Sequence, residues 1–152
     1  MKRIIALCGI LVVFVGAASA DPHDVYGVWL TEAGTAKVEI ADCGDGTPCG
    51  DIVWMDPAAL RAGLTPETAV DENNPDEALR DRPVLGLTML SAFERRRNDW
   101  RGGRIYDPEE GKSYGSRLKR LESGALQVKG CIGPICQTQT WSQAALSGET
   151  AE

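Results

Sequence analysis

Alternation at every second residue dominates this chain. Ala36-Lys37-Val38-Glu39-Ile40 puts Ala36, Val38 and Ile40 on one face of a strand and Lys37 and Glu39 on the other. Ile52 and Trp54 repeat the pattern after the Gly44-Asp45-Gly46 turn, and Leu87, Met89 and Phe93 sit at even spacing on another strand. Leu126 and Val128 share a face on a later one, with Gln127 and Lys129 turned away. Asp107-Pro108-Glu109-Glu110-Gly111 and Glu122-Ser123-Gly124 are turns short enough to join antiparallel neighbours. These signals predict strands over residues 26–31, 36–41, 50–55, 86–95, 101–107, 112–121, 125–131 and 137–142. A run of eight strands, mostly hairpin-linked, predicts an all-β fold, an eight-stranded antiparallel up-and-down barrel.

The alternation stops over residues 56–83. Asp56-Pro57-Ala58-Ala59-Leu60-Arg61-Ala62-Gly63 carries an N-capping acid, Pro at the first helical position and Gly past the end, and predicts one short helix. Asn74-Pro75-Asp76-Glu77-Ala78-Leu79-Arg80 repeats the logic. A connection this long inside a compact β domain is usually functional or a lid, and in a barrel it is expected to lie across one mouth.

The first twenty residues read as an address. Met1-Lys2-Arg3 is basic, Ile4 to Val15 is apolar apart from Gly9, and Ala18-Ser19-Ala20 is a small-x-small cleavage site. Residues 1–20 are therefore expected to be a cleavable signal peptide, residues 21–146 the barrel domain and 147–152 a polar tail, with the periplasm as the expected compartment. Cleavage leaves 132 of 152 residues and, by removing Lys2 and Arg3, takes the formal charge from −6 to −8. An acidic domain without a basic tract argues against nucleic acid as a partner, because phosphate binding draws on clustered Lys and Arg. Nothing after residue 20 is long and apolar enough for a membrane-spanning helix. Cys8 leaves with the signal, and Cys43, Cys49, Cys131 and Cys136 remain, an even set that reads as two disulfides in an exported chain. Local pairing, Cys43 with Cys49 and Cys131 with Cys136, is the simplest of the three connectivities, each bridge pinning a hairpin.

Candidate chemistry is sparse. His23, the one histidine, stands three residues into the expected mature chain and reads as a solvated terminal residue. A Ser or Cys nucleophile has no other imidazole to activate it, and a His/Cys zinc site lacks its ligands, so neither enzyme activity, metal nor cofactor is expected. Asp71, Glu72, Asp76, Glu77 and Asp81 crowd one loop, but Pro75 and Asp76 stand where a calcium loop needs a ligand and a turn-making Gly. The bland reading of the acidic 71–81 loop is a solvated flank; were the barrel merely packed, that loop would be the contact surface for a protein partner.

Aromatic placement is more informative. Trp29, Trp54, Trp100 and Trp141 lie on or at the ends of predicted strands, with Tyr26, Tyr106 and Tyr114 close by. Arg104 and Tyr106 share one strand face, and Tyr114 and Ser116 share one on the next. An eight-stranded barrel either fills itself or holds one small ligand, and aromatic walls with a few fixed polar groups are how small-molecule pockets are built. The expected function is binding of a small, partly apolar molecule against Trp54, Phe93, Tyr106 and Tyr114, with Arg104 meeting any anionic head group.

The order of motifs resembles the DUF2147 family of exported bacterial proteins. The resemblance rests on Gly27-Val28-Trp29, Ala36-Lys37-Val38-Glu39-Ile40, Cys49-Gly50-Asp51-Ile52-Val53-Trp54, Asn74-Pro75-Asp76, Arg82-Pro83-Val84-Leu85-Gly86-Leu87, Trp100-Arg101-Gly102-Gly103-Arg104-Ile105-Tyr106-Asp107-Pro108, Gly111-Lys112-Ser113-Tyr114 and Thr138-Gln139-Thr140-Trp141. It implies a lipocalin-like antiparallel barrel in the periplasm of a Gram-negative cell, with Trp29 as the barrel-closing indole, and it implies little about activity. Members often carry a basic residue shortly after the terminal Thr-Trp, where this chain has Ser142-Gln143. The cation expected over Trp29 is then missing or supplied by another arginine.

Overall fold

The computed structural model describes residues 20–145. The expected signal segment as far as residue 19, and the expected polar tail, lie outside the described residues. One antiparallel sheet closes on itself through β1 (Gly27–Leu30), β2 (Ala36–Asp42), β3 (Pro48–Met55), β4 (Thr88–Ser91), β5 (Glu94–Arg95), β6 (Trp100–Asp107), β7 (Lys112–Arg120), β8 (Leu126–Ile132) and β9 (Ile135–Gln143). Sequence neighbours pair in order, β9 returns to β1, and β4 pairs with β6. β4 and β5 are the halves of one interrupted strand, so the barrel has eight antiparallel staves, as the alternation predicts.

The interruption falls at Ala92, whose φ of 61° is a left-handed backbone that L residues rarely adopt. A bulge precedes it. Gly50 pairs with Leu90 but Asp51 pairs with Thr88, leaving Met89 as the extra residue. The buried positions are consequently Leu87, Leu90 and Phe93, whereas Met89, which even spacing placed among them, is half-buried. The turned chain lays the Phe93 ring over Gly103, where an added Cβ would sit 2.2 Å from ring carbons.

Two apolar clusters result. Trp29, Val38, Ile40, Leu90, Phe93, Trp100, Leu118, Leu126, Val128 and Trp141 fill the barrel with Val25, while Ile52, Met55, Ala69, Val84 and Leu87 pack under the long connection. The helices predicted within that connection are single 3-10 turns, Pro57–Ala59 and Glu77–Leu79. Their expected start signals act, since the Asp56 and Asp76 carboxylates accept from the Ala58 and Ala78 N–H groups. Segments this short do not offset the cost of nucleating an α-helix. Cys43 bonds to Cys49 across the β2–β3 hairpin and Cys131 to Cys136 across the β8–β9 hairpin.

The end of the barrel beside the N-terminus is closed. Trp29 Nε1 donates to the Val25 carbonyl at 2.8 Å, and Trp100 Nε1 donates to the His23 carbonyl at 3.0 Å. His23 is not the solvated residue its position predicts: it is 7% exposed, meets Trp100 edge to face, and its Nε2 donates to the Arg96 carbonyl at 2.6 Å. Bonds from the His23 backbone N–H and ring hold the Asp21 carboxyl below the usual carboxylate range. Arg120 lies 4.6 Å above the Trp29 ring and so supplies the cation that Ser142-Gln143 do not.

Candidate ligand-binding mouth

The opposite end is built differently. β1 pairs with β9 only through Trp29–Gln143 and Leu30–Ser142. Residues 135–140 of β9 therefore rise past β1, with both of their faces exposed. The inner wall of this tall side reads in rows, because residues directly opposite one another on paired strands point the same way. One row runs Gly103, Ser116, Gly130, Gln137 across β6 to β9, and the row nearer the base runs Trp100, Leu118, Val128, Gln139. Towards the rim stand Ile105 beside Tyr114 and Ile132 beside Ile135, the isoleucines of the hairpin being 68% and 77% exposed.

Ser116 is the unusual member. Its side chain is 3% exposed, and its Oγ has no hydrogen-bond partner among the described residues. Gly103 and Gly130 stand on either side of it, with the Phe93 ring packed over Gly103 and Ile105 Cγ2 3.6 Å from where a Cβ on Gly130 would lie. The Gln139 carbonyl oxygen accepts from Trp141 Nε1 at 2.7 Å, linking this wall to the packed core below. Tyr114 stands at the rim with its hydroxyl donating to Glu110. That bond raises the phenol to about 12. The same bond, with Lys112 3.5 Å away, holds Glu110 below its ordinary value. Between Lys112 at the rim and Arg120 at the base, the alternation of β7 puts only Tyr114, Ser116 and Leu118 on the inner face.

The sequence-predicted ligand residues are not brought together. A bulge between Lys37 and Val38 pairs Lys37 with Trp54 and Val38 with Ile52. The extra residue, Val53, turns Trp54 to the face of Lys37, whose ammonium lies 5.4 Å from the indole centroid. Arg104 is exposed and shares the outer face with Ser91 and Gly115. Phe93 is buried in the core, Tyr114 is at the inner rim, and Tyr106 belongs to a separate polar cluster.

That cluster centres on Asp71, which is fully buried and not part of a solvated flank. Its Oδ1 accepts from the Tyr106 hydroxyl at 2.6 Å; its Oδ2 accepts from Asn74 Nδ2 at 2.7 Å and from Arg82 Nε at 2.8 Å, with Arg82 Nη2 at 2.7 Å. Arg82 also stacks 5.3 Å from the Tyr106 ring centroid. Burial first, and then the bond to Asp71, raise the Tyr106 phenol above its ordinary value. Asn74 Oδ1 accepts from the Asp76 N–H, and Asn73 Nδ2 donates to the Glu109 carbonyl in the β6–β7 turn. The buried polar groups of the cluster are partnered among the described residues, and together they clasp the long connection to β6.

Among the described residues no group of three or more His, Cys, Asp or Glu is placed to hold a metal ion, and no helix is long and apolar enough to cross a membrane. A sequence model of the family described as "Uncharacterized protein conserved in bacteria (DUF2147)" matches residues 27–143. Among solved structures the chain is similar to protein HP1028 from the human pathogen Helicobacter pylori, described as belonging to the lipocalin family. The two are 21% identical over 81% of this chain and 84% of that one, with a TM-score of 0.67, which is a likeness of fold. No curated protein matches the chain.

Proposed function

The chain belongs to the DUF2147 family, and from that premise we propose that it is a periplasmic, non-enzymatic barrel that binds a small, partly apolar molecule at the mouth above Ser116. The observation that carries this reading is the Ser116 hydroxyl, buried, facing inward and without a partner among the described residues. Burying a hydroxyl unsatisfied costs about 1–3 kcal/mol, and a ligand hydroxyl or amide that reaches Ser116 from the mouth removes that cost. The uncharged inner wall favours an uncharged ligand, since an ion placed there would lose its hydration without gaining a counter-ion. Arg104, on the outer face, is accordingly not proposed as a contact of the molecule held in the mouth.

The basic and apolar leader supports export, and the two disulfides fit an oxidising compartment. The rival reading, a packed barrel that meets a protein through the acidic 71–81 loop, keeps Glu72, Asp76, Glu77 and Asp81 but loses Asp71 to the clasp. Native mass spectrometry of the protein taken from its own cells tests the choice. The expected spectrum contains a small-molecule adduct that Ser116→Val diminishes; a bare polypeptide mass, with no thermal stabilisation by neutral amphiphiles, overturns the proposal.

A further inference from the structure

The chain is acidic, yet its basic residues are not spread evenly. Of the 14 Lys and Arg beyond residue 20, ten fall in residues 95–129, which hold only five carboxylates. The strands then gather several of these onto one surface. Arg117 and Lys119 alternate with the buried Ser116 and Leu118, and Lys129 alternates with the buried Val128, so all three face outward on β7 and β8. Arg117 sits directly opposite Lys129, a like-charge pair that opposes sheet stability. With Arg101 and the Asp99 it pairs with, they line an outer cleft of about 180 Å³, and Arg104 extends the face onto β6. Among the described residues, Arg104, Arg117, Lys119 and Lys129 form no ion pair.

At the rim of the same strands stand the most exposed large apolar side chains among the described residues. Ile132 and Ile135 flank Gly133-Pro134 at the tip of the β8–β9 hairpin, which the Cys131–Cys136 bridge staples. Ile132 is three residues beyond Lys129, roughly 10 Å along a strand, so the two leave β8 on opposite faces, the isoleucines on the mouth side and the cation outside. We propose that this end of the barrel docks tip first on an anionic lipid bilayer, the Ile132–Ile135 tip entering the interface and the outward cations above it meeting phosphate head groups. Unneutralised cations facing one way and a rigid apolar wedge beside them are the two components of peripheral membrane binding. The partner must supply negative charge over an area and apolar depth at one edge. A bilayer supplies both, whereas a soluble anionic polymer supplies only the first. The orientation brings the barrel mouth to the membrane, but the inference stands whether or not the mouth holds a ligand.

The test is flotation of the protein as its cell processes it, its N-terminus read by mass, with vesicles of phosphatidylcholine and of equimolar phosphatidylcholine and phosphatidylglycerol. Binding to the anionic vesicles alone, weakened by salt, is expected. Each basic side chain at such a surface contributes about fivefold, so the triple variant R117Q/K119Q/K129Q is expected to bind about a hundredfold more weakly. I132S/I135S should also weaken binding, at unchanged salt dependence, and Arg61→Gln in the long connection should change nothing. The triple variant relieves a like-charge pair and should melt no earlier than the parent, which separates lost binding from lost fold. Equal binding to both vesicles, an undiminished triple variant, or retention on heparin without flotation would each overturn the proposal.

Discussion

Asp71 and Ser116 are both almost completely buried polar residues, and they differ in one respect. The carboxylate accepts from Tyr106, Asn74 and Arg82, whereas the hydroxyl has no partner among the described residues. A saturated buried group is part of the architecture, because removing a partner strands its desolvated neighbours. An unsaturated one is a standing cost that nothing in the architecture requires. The contrast separates a clasp from a site without reference to any relative.

The largest expected effect falls on the saturated side. Arg82→Ala leaves the Asp71 carboxylate buried without its counter-charge, and breaking such a pair should lower unfolding stability by about 3 kcal/mol. That is the low end of the usual range, because the Arg82 side chain is 38% exposed and reaches water. Urea denaturation measures it; a loss below about 1 kcal/mol would remove the distinction between clasp and site.

Next come the bridges, one at each end. The half-cystines of both are close in sequence, with separations of 6 and 5, so chain entropy assigns either removal a similar loss of about 2 kcal/mol. Their effects on ligand retention should differ. C131S/C136S frees the hairpin that carries Gln137 into the inner wall and should release the copurified molecule, while C43S/C49S should leave it bound. Equal loss in both variants would mean that the mouth is not where the ligand sits.

Ser116→Ala should act with the opposite sign to Arg82→Ala. Deleting an unsatisfied hydroxyl is expected to leave stability unchanged or to raise it by about 1 kcal/mol, while the ligand adduct weakens. A destabilisation as large as that of Arg82→Ala would show that the hydroxyl has a partner in solution.

The regular strands were legible in the sequence and the irregular ones were not. Val38, Ile40, Leu126 and Val128 lie inward as their spacing predicts, and the shared face of Tyr114 and Ser116 was readable from the same alternation. A bulge belongs to a pair of strands. Nothing in Cys49-Gly50-Asp51-Ile52-Val53-Trp54 announces that β2 will skip Val53, and that one residue sends Trp54 outward. Met89 is the same case on β4. Asp71 was hidden because its neighbours in sequence are acids, while Tyr106, the partner of its Oδ1, is 35 residues away. His23 was hidden likewise, with the carbonyl it meets 73 residues away. On β9, Gln137, Thr138, Gln139 and Thr140 are polar at both parities, so composition could not say which of them face the mouth.

The two tyrosines that border these regions offer the finest discrimination. Tyr106 is raised chiefly by burial and Tyr114 chiefly by its bond to Glu110, the latter to about 12 from an ordinary value of 10.0. A native phenol that binds its proton more tightly than the unfolded chain contributes stability in full below pH 10, and loses it as the pH rises towards about 12. Absorbance titration of the native protein should therefore show the last tyrosinate forming near pH 12, and Tyr114→Phe should remove that step. In Arg82→Ala the Tyr106 step should move to higher pH, since the guanidinium is what opposes the effect of Asp71 on that phenol. The Tyr114 step should not move with it. If one substitution shifts both steps, the clasp and the mouth are a single coupled unit, and the buried carboxylate and the buried hydroxyl can no longer be assigned separate roles.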